Sequence, residues 1–142
     1  MKRILTASIA FLLCLPLIAG GRVITNFDKD WRFHLGDVAK AKTPSFNHKG
    51  WRQLDLPHDW SIEGENLQDA PGRGSVGFFP GGTGWYRKTF DVSGYSKDKL
   101  YSIEFDGVYM NSEVWINGHY LGLWPYGYTC FHYDLTPYLK AK

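Results

Sequence analysis

Acidic side chains crowd one stretch of this 142-residue chain. Asp59, Glu63, Glu65 and Asp69 follow Pro57 and His58 in a glycine-containing segment that also holds Arg73. Two carboxyl groups about 5–9 Å apart can cleave a glycosidic bond, one protonating the leaving oxygen and the other attacking or activating water. A working pair needs opposed rigid elements to fix it. These four share a single polar loop, where carboxylates ordinarily form a solvated face, so no catalytic residue is assigned. Nucleophilic catalysis is no better supported. No Gly-x-Ser-x-Gly elbow occurs, and Ser75 in Gly74-Ser75-Val76-Gly77 lacks the strand–turn–helix context. Gly81-Gly82-Thr83-Gly84 has neither the Gly-Lys-Ser/Thr ending nor the following helix of a phosphate loop. The five histidines, His34, His48, His58, His119 and His132, show no ligand spacing, so neither a metal nor a cofactor is expected.

Aromatic residues offer a different chemistry. Sugars present apolar C–H faces that stack on rings, and hydroxyls that need planar polar partners. The chain has six tryptophans, Trp31, Trp51, Trp60, Trp85, Trp115 and Trp124. Most should serve the core, because tryptophan is highly buried on average; about two are expected at a ligand surface. The segment Pro80-Gly81-Gly82-Thr83-Gly84-Trp85-Tyr86-Arg87-Lys88-Thr89-Phe90-Asp91-Val92 is the most informative. Its glycines permit close backbone approach, and they run straight into an alternating strand. A rigid strand that begins at a permissive loop suits a binding site.

The elements that would hold these groups are strands. Trp31, Phe33 and Leu35 alternate with Arg32 and His34, giving one apolar face. Trp51 to Leu56 is a short extended segment closed by Pro57. From Pro57 to Gly82 no regular structure is expected, and a loop of that length is ordinarily functional when it is ordered. Tyr101, Ile103 and Phe105 alternate with Ser102, Glu104 and Asp106. Asn117-Gly118, between Glu113–Ile116 and His119–Gly122, is a strong hairpin signal. Trp124-Pro125-Tyr126-Gly127-Tyr128 makes an aromatic loop, and Phe131, Tyr133 and Leu135 share one face of a last strand. Thr136-Pro137 reads as a capped turn. No amphipathic helix follows residue 21. Short strands about ten residues apart indicate a β-sandwich or jelly roll. No closing strand follows the last turn, so the sandwich reads as incomplete at its C-terminal edge, with unpaired backbone there.

The first 21 residues read differently. Lys2 and Arg3 precede an apolar run from Ile4 to Ile18, and Ala19-Gly20-Gly21 supplies a cleavage site. That layout is a secretory signal, too short and too interrupted by Pro16 for a membrane span. Residues 22–142 then form one domain, exported to a periplasm or the outside of the cell. Without Lys2 and Arg3, 14 basic residues face 14 acidic ones, with no basic patch of the kind nucleic acid requires. Cys14 leaves with the signal, and Cys130 is expected to be a small buried residue without a disulfide partner.

Taken in order, several short motifs resemble the N-terminal sugar-binding domain of glycoside hydrolase family 2, above all its β-galactosidase branch. They are Trp31-Arg32-Phe33, then Leu54-Asp55-Leu56-Pro57-His58-Asp59-Trp60, then Gly84-Trp85-Tyr86-Arg87-Lys88-Thr89-Phe90. Phe105-Asp106-Gly107-Val108, Val114-Trp115-Ile116-Asn117-Gly118 and Asp134-Leu135-Thr136 follow. The resemblance implies an all-β jelly roll that leads, in relatives, into an immunoglobulin-like sandwich and a (β/α)₈ barrel. In the family that barrel carries both catalytic glutamates of a retaining mechanism, and neither later domain is in this chain. It also implies a β-galactoside-like carbohydrate as ligand and the barrel as structural partner. Some relatives place a sugar-contacting amide in the loop before Trp85, where this chain has Gly81 and Gly82. His58, Asp59 and Trp85 are therefore the candidate substrate-binding residues, with capping of the loop an equal alternative for the first two. A free-standing lectin-like module and a non-functional truncated product stay open as other readings.

Overall fold

The structure is a computed structural model that describes residues 21–140. The export signal expected over residues 1–21 lies outside the described residues, apart from Gly21. Seven strands run in chain order: β1 (Trp31–Leu35), β2 (Arg52–Leu54), β3 (Gly84–Arg87), β4 (Ser102–Phe105), β5 (Ser112–Ile116), β6 (His119–Trp124) and β7 (Phe131–Asp134). They form antiparallel sheets ordered β2-β1-β3, β4-β7 and β5-β6. The architecture is all-β and of the sandwich type.

Strand alternation sets the inward faces. In β4, half-buried Ile103 and Phe105 alternate with exposed Ser102 and Glu104; in β7, buried Phe131 and half-buried Tyr133 alternate with exposed His132 and Asp134. The β5–β6 turn is Asn117-Gly118, with φ of 50° and 84°. Both central residues of a type I′ turn require positive φ, and Asn and Gly tolerate it best. Phe33, Ile116, Phe131 and Leu135 are the large buried apolar side chains among the described residues.

Aromatic pairs tie the sheets together. Trp85 of β3 stacks on Trp115 of β5 with centroids 5.5 Å apart, so the first sheet meets the third. Trp124 of β6 stacks on Phe131 of β7 at 5.3 Å, and Phe131 on Phe105 of β4 at 4.8 Å. Each contact removes ring surface from water and adds a favourable offset geometry.

Several local expectations are corrected. β3 stops at Arg87 instead of running to Val92, because its partner β1 begins at Trp31 and offers little beyond the Arg32–Arg87 pair. Arg87 and Lys88 act as clamps at that end. The Arg87 guanidinium donates to the carbonyls of Ala41 and Pro44, and to His48 Nδ1, holding the loop after β1. Lys88 Nζ donates to the carbonyls of Phe27 and Lys29 and lies 4.2 Å from the Phe27 ring centroid, a cation–π arrangement. Leu35, expected on the apolar face, is 53% exposed at the strand end. Cys130 is exposed, not buried, in the turn before β7. Thr136 does not cap the last turn: its backbone N–H donates to Asp134 Oδ1, while its hydroxyl accepts from Tyr101 N–H and bridges to β4.

Candidate functional site

The loop from Pro57 to Thr83 is ordered by its own packing. Two 3-10 turns, Ser61–Glu63 and Arg73–Val76, interrupt it, where the sequence predicts no regular structure. Leu67 N–H donates to the Phe78 carbonyl, and the Asn66 side-chain amide to the Gly77 carbonyl. Its two arms therefore close on each other, as in an Ω-loop. The indole of Trp60 lies against the glycine run: a methyl group at Gly84 would sit 2.8 Å from Trp60 Nε1 and 3.2 Å from Phe33 Cε2. Only glycine lets the strand start so close to that ring.

His58 sits at the start of this loop, its side chain 10% exposed. Its Nδ1 lies 2.7 Å from Tyr86 Oη, and its Nε2 lies 2.6 Å from Arg52 Nη2 and 3.1 Å from Glu63 Oε1. A guanidinium only donates and a carboxylate only accepts, so the tautomer of His58 decides whether its Nε2 engages Arg52 or Glu63. Arg52 also donates from Nη1 and Nη2 to Glu63 Oε2 and Oε1, at 2.9 and 2.6 Å. This two-pronged geometry is the strong form of an ion pair. The Arg52 guanidinium, with His58 beside it, holds the Glu63 carboxyl down at about 2. Burial, with the nearby Asp59 and Glu63 carboxylates, pushes the Tyr86 phenol up to about 12.

These shifts decide what chemistry is open. A general acid for glycoside cleavage needs a carboxyl whose pKa is raised; Glu63 is driven the opposite way and stays ionised in its ion pair. Asp59 Oδ1 accepts from the N–H and hydroxyl of Ser61, at 2.9 and 2.6 Å, and so caps the 3-10 turn. Glu65 and Asp69 are exposed. Among the described residues no group of three or more His, Cys, Asp or Glu side chains is placed to hold a metal ion.

The structure brings His58 and Asp59 together in the loop, both ring nitrogens of His58 and Oδ1 of Asp59 being engaged. Trp85 points to the face of β3 opposite Tyr86, its Nε1 buried without a hydrogen-bond partner among the described residues and its ring on Trp115. The network reaching His58 draws on Arg52 of β2 and Tyr86 of β3, which sequence reasoning did not single out; no local spacing links residues 34 positions apart. The expectation of two exposed tryptophans is corrected as well. All six are half-buried, and the exposed rings are Phe78, Tyr109, Tyr120, Tyr126 and Tyr128. Shallow depressions of about 430 and 320 Å³ are lined by β4 and β7 residues such as Ser102 and His132. Neither touches His58, Asp59 or Trp85.

Comparison with known proteins bears on this arrangement. Residues 78–142 match the family described as glycosyl hydrolases family 2, sugar binding domain. A β-galactosidase of Bacteroides ovatus is 60% identical over 116 residues, covering 82% of this chain and 14% of the relative. A putative β-glucuronidase of Formosa agariphila is 49% identical over 121 residues, covering 84% of this chain and 12% of the relative. Among solved structures, a β-glycosidase from Bacteroides vulgatus superposes with a TM-score of 0.77 at 54% identity, over 81% of this chain and 15% of its own. The chain thus spans about one-seventh of the length of the relatives it matches. The motifs from Trp31 to Thr136, the all-β sheets and these likenesses converge, and the chain belongs to glycoside hydrolase family 2, whose N-terminal sugar-binding domain it carries.

Proposed function

We propose that this chain is the carbohydrate-binding N-terminal part of an exported, retaining, β-galactosidase-like glycoside hydrolase. The observation that carries the reading is the 60% identity to a β-galactosidase of which the chain covers only 14%. On this reading the two carboxylates of the double displacement belong to a barrel domain outside these 142 residues. The chain supplies one wall of the sugar site. Within that wall His58, Asp59 and Trp85 act through shape: His58 and Asp59 fix the loop, and Trp85 fixes the strand behind it. Gly81 and Gly82, both exposed, bring backbone rather than a side chain towards the sugar. The engagement of Glu63 with Arg52 supports the absence of an acid in this loop.

The test is an assay of the 142-residue chain on aryl β-galactosides and aryl β-glucuronides. No turnover is expected. Turnover that disappears on changing a single carboxylate among Asp59, Glu63, Glu65 and Asp69 overturns the reading. Mass spectrometry of the product secreted by a Gram-negative host checks export, with a new N-terminus at Arg22 expected.

A further inference from the structure

Two loops meet at one end of the β4–β7 and β5–β6 pairs. Phe105 at the end of β4 is paired with Phe131 at the start of β7, and Ser112 at the start of β5 is paired with Trp124 at the end of β6. The connections 106–111 and 125–130 must therefore leave the sheets side by side. They touch directly: Asn111 N–H donates to the Pro125 carbonyl. A methyl group at Gly127 would lie 2.5 Å from Tyr109 Cδ2 and 3.0 Å from Tyr109 Cα, so Gly127 lets one loop rest on the other.

Tyrosines crown this junction. Tyr109, Tyr126 and Tyr128 are 60%, 57% and 75% exposed, and Met110 beside them is 50% exposed. Tyr128 contacts Tyr109 edge-on at 5.6 Å and 71°, and Tyr126 at 5.7 Å and 62°. Mutually tilted rings form a cradle with open faces rather than a closed stack. None of the three hydroxyls has a hydrogen-bond partner among the described residues. The base beneath is rigid, because Trp124 stacks on Phe131 and its Nε1 donates to Thr129 Oγ1 at 3.2 Å. Clustered, exposed, pre-positioned aromatic rings mark an interaction site more than chance exposure does.

We infer that Tyr109, Tyr126 and Tyr128 form a stacking platform for a neutral hexopyranoside, a contact separate from the His58 loop. This rests on the sugar-binding reading above and extends it to a position and a sugar class. A pyranose with several C–H bonds on one face needs an exposed ring face and nearby hydroxyls, and both are present. Charge selects among sugars. Residues 106–111 and 125–130 contain no lysine, arginine or histidine, and Asp106 is their single charged residue. A uronate carboxylate would find no cation in either loop and a carboxylate in one of them, so a galactoside fits where a glucuronide does not.

The test titrates the full chain with methyl β-galactoside and methyl β-glucuronide by calorimetry, beside Tyr126→Ala, Tyr128→Ala, Tyr126→Phe and Tyr128→Phe. Galactoside binding is expected to weaken by about tenfold for each alanine variant, and much less for the phenylalanine variants that keep the ring. Saturation-transfer NMR on the unmodified chain should perturb tyrosine ring protons, a readout that survives if a variant misfolds. Galactoside binding equal in the alanine variants, with no tyrosine transfer, overturns the platform and leaves the sugar-binding reading standing. Tighter binding of the glucuronide overturns the assigned sugar class. Failure of the unmodified chain to bind either sugar overturns the platform and leaves standing the reading of the chain as one wall of a site that the barrel completes.

Discussion

Glu63 sits on the loop with its carboxylate clasped by Arg52 and touched by His58, and this decides its chemistry. Its pKa falls from 4.5 to about 2 because the folded state stabilises the charge. The ionised group therefore contributes stability that is fully present above about pH 4.5 and is lost as the pH falls towards 2. Glu63→Gln should lower the melting temperature at pH 7, and the gap to the unmodified chain should close between pH 4.5 and pH 2. Thermal melts followed by circular dichroism across that range check it; a gap independent of pH would show that the ion pair contributes nothing. His58 is the hub of the same cluster, with Phe33 4.8 Å from its ring. A histidine beside Asp-Trp reads as a site residue from sequence. Its partners, donated by two different strands, make it a brace for the loop.

At the level of elements, β3 and the loop before it are one unit. Trp60 covers Gly84 from the loop side while Phe33 covers it from β1. Gly84→Ala places a methyl group against both and should cost about 1–3 kcal/mol, as overpacking does. Chemical denaturation measures this, and a loss well under 1 kcal/mol would mean that the loop slides freely over the strand. The alternation of Tyr101, Ile103 and Phe105, and the Asn117-Gly118 turn, were legible because period and turn chemistry are local properties. The early end of β3 was not legible. Lys88, Phe90 and Val92 continue the alternation, but a strand requires a partner, and β1 supplies none beyond its first residue.

In the whole molecule, two aromatic contacts join three small sheets. The Trp85–Trp115 stack is an aromatic contact between the first and third sheets, and among the described residues few large side chains are fully buried. Trp115→Ala should destabilise the chain by about 2 kcal/mol, less than the ~3–5 kcal/mol of a fully buried ring because Trp115 is half-buried. It should also make unfolding less cooperative, as the β5–β6 hairpin loosens from the β1–β3 sheet. Hydrogen exchange resolved by residue tests this: amides of β5 and β6 should lose protection before those of β1. Equal loss across all strands would show that the sheets are coupled elsewhere.

By itself the sequence determined the all-β class, the faces of β4 and β7, the hairpin and the family, because periodicity, turn residues and motif order are written along the chain. Tertiary structure decided burial and company. About two of the six tryptophans were expected at a ligand surface, yet all six are half-buried, and the exposed rings include Tyr109, Tyr126 and Tyr128 on two loops. Leu35 and Cys130 read as interior and lie exposed. The reason is physical: whether a side chain is covered depends on what packs across from it, and that partner comes from a distant part of the chain.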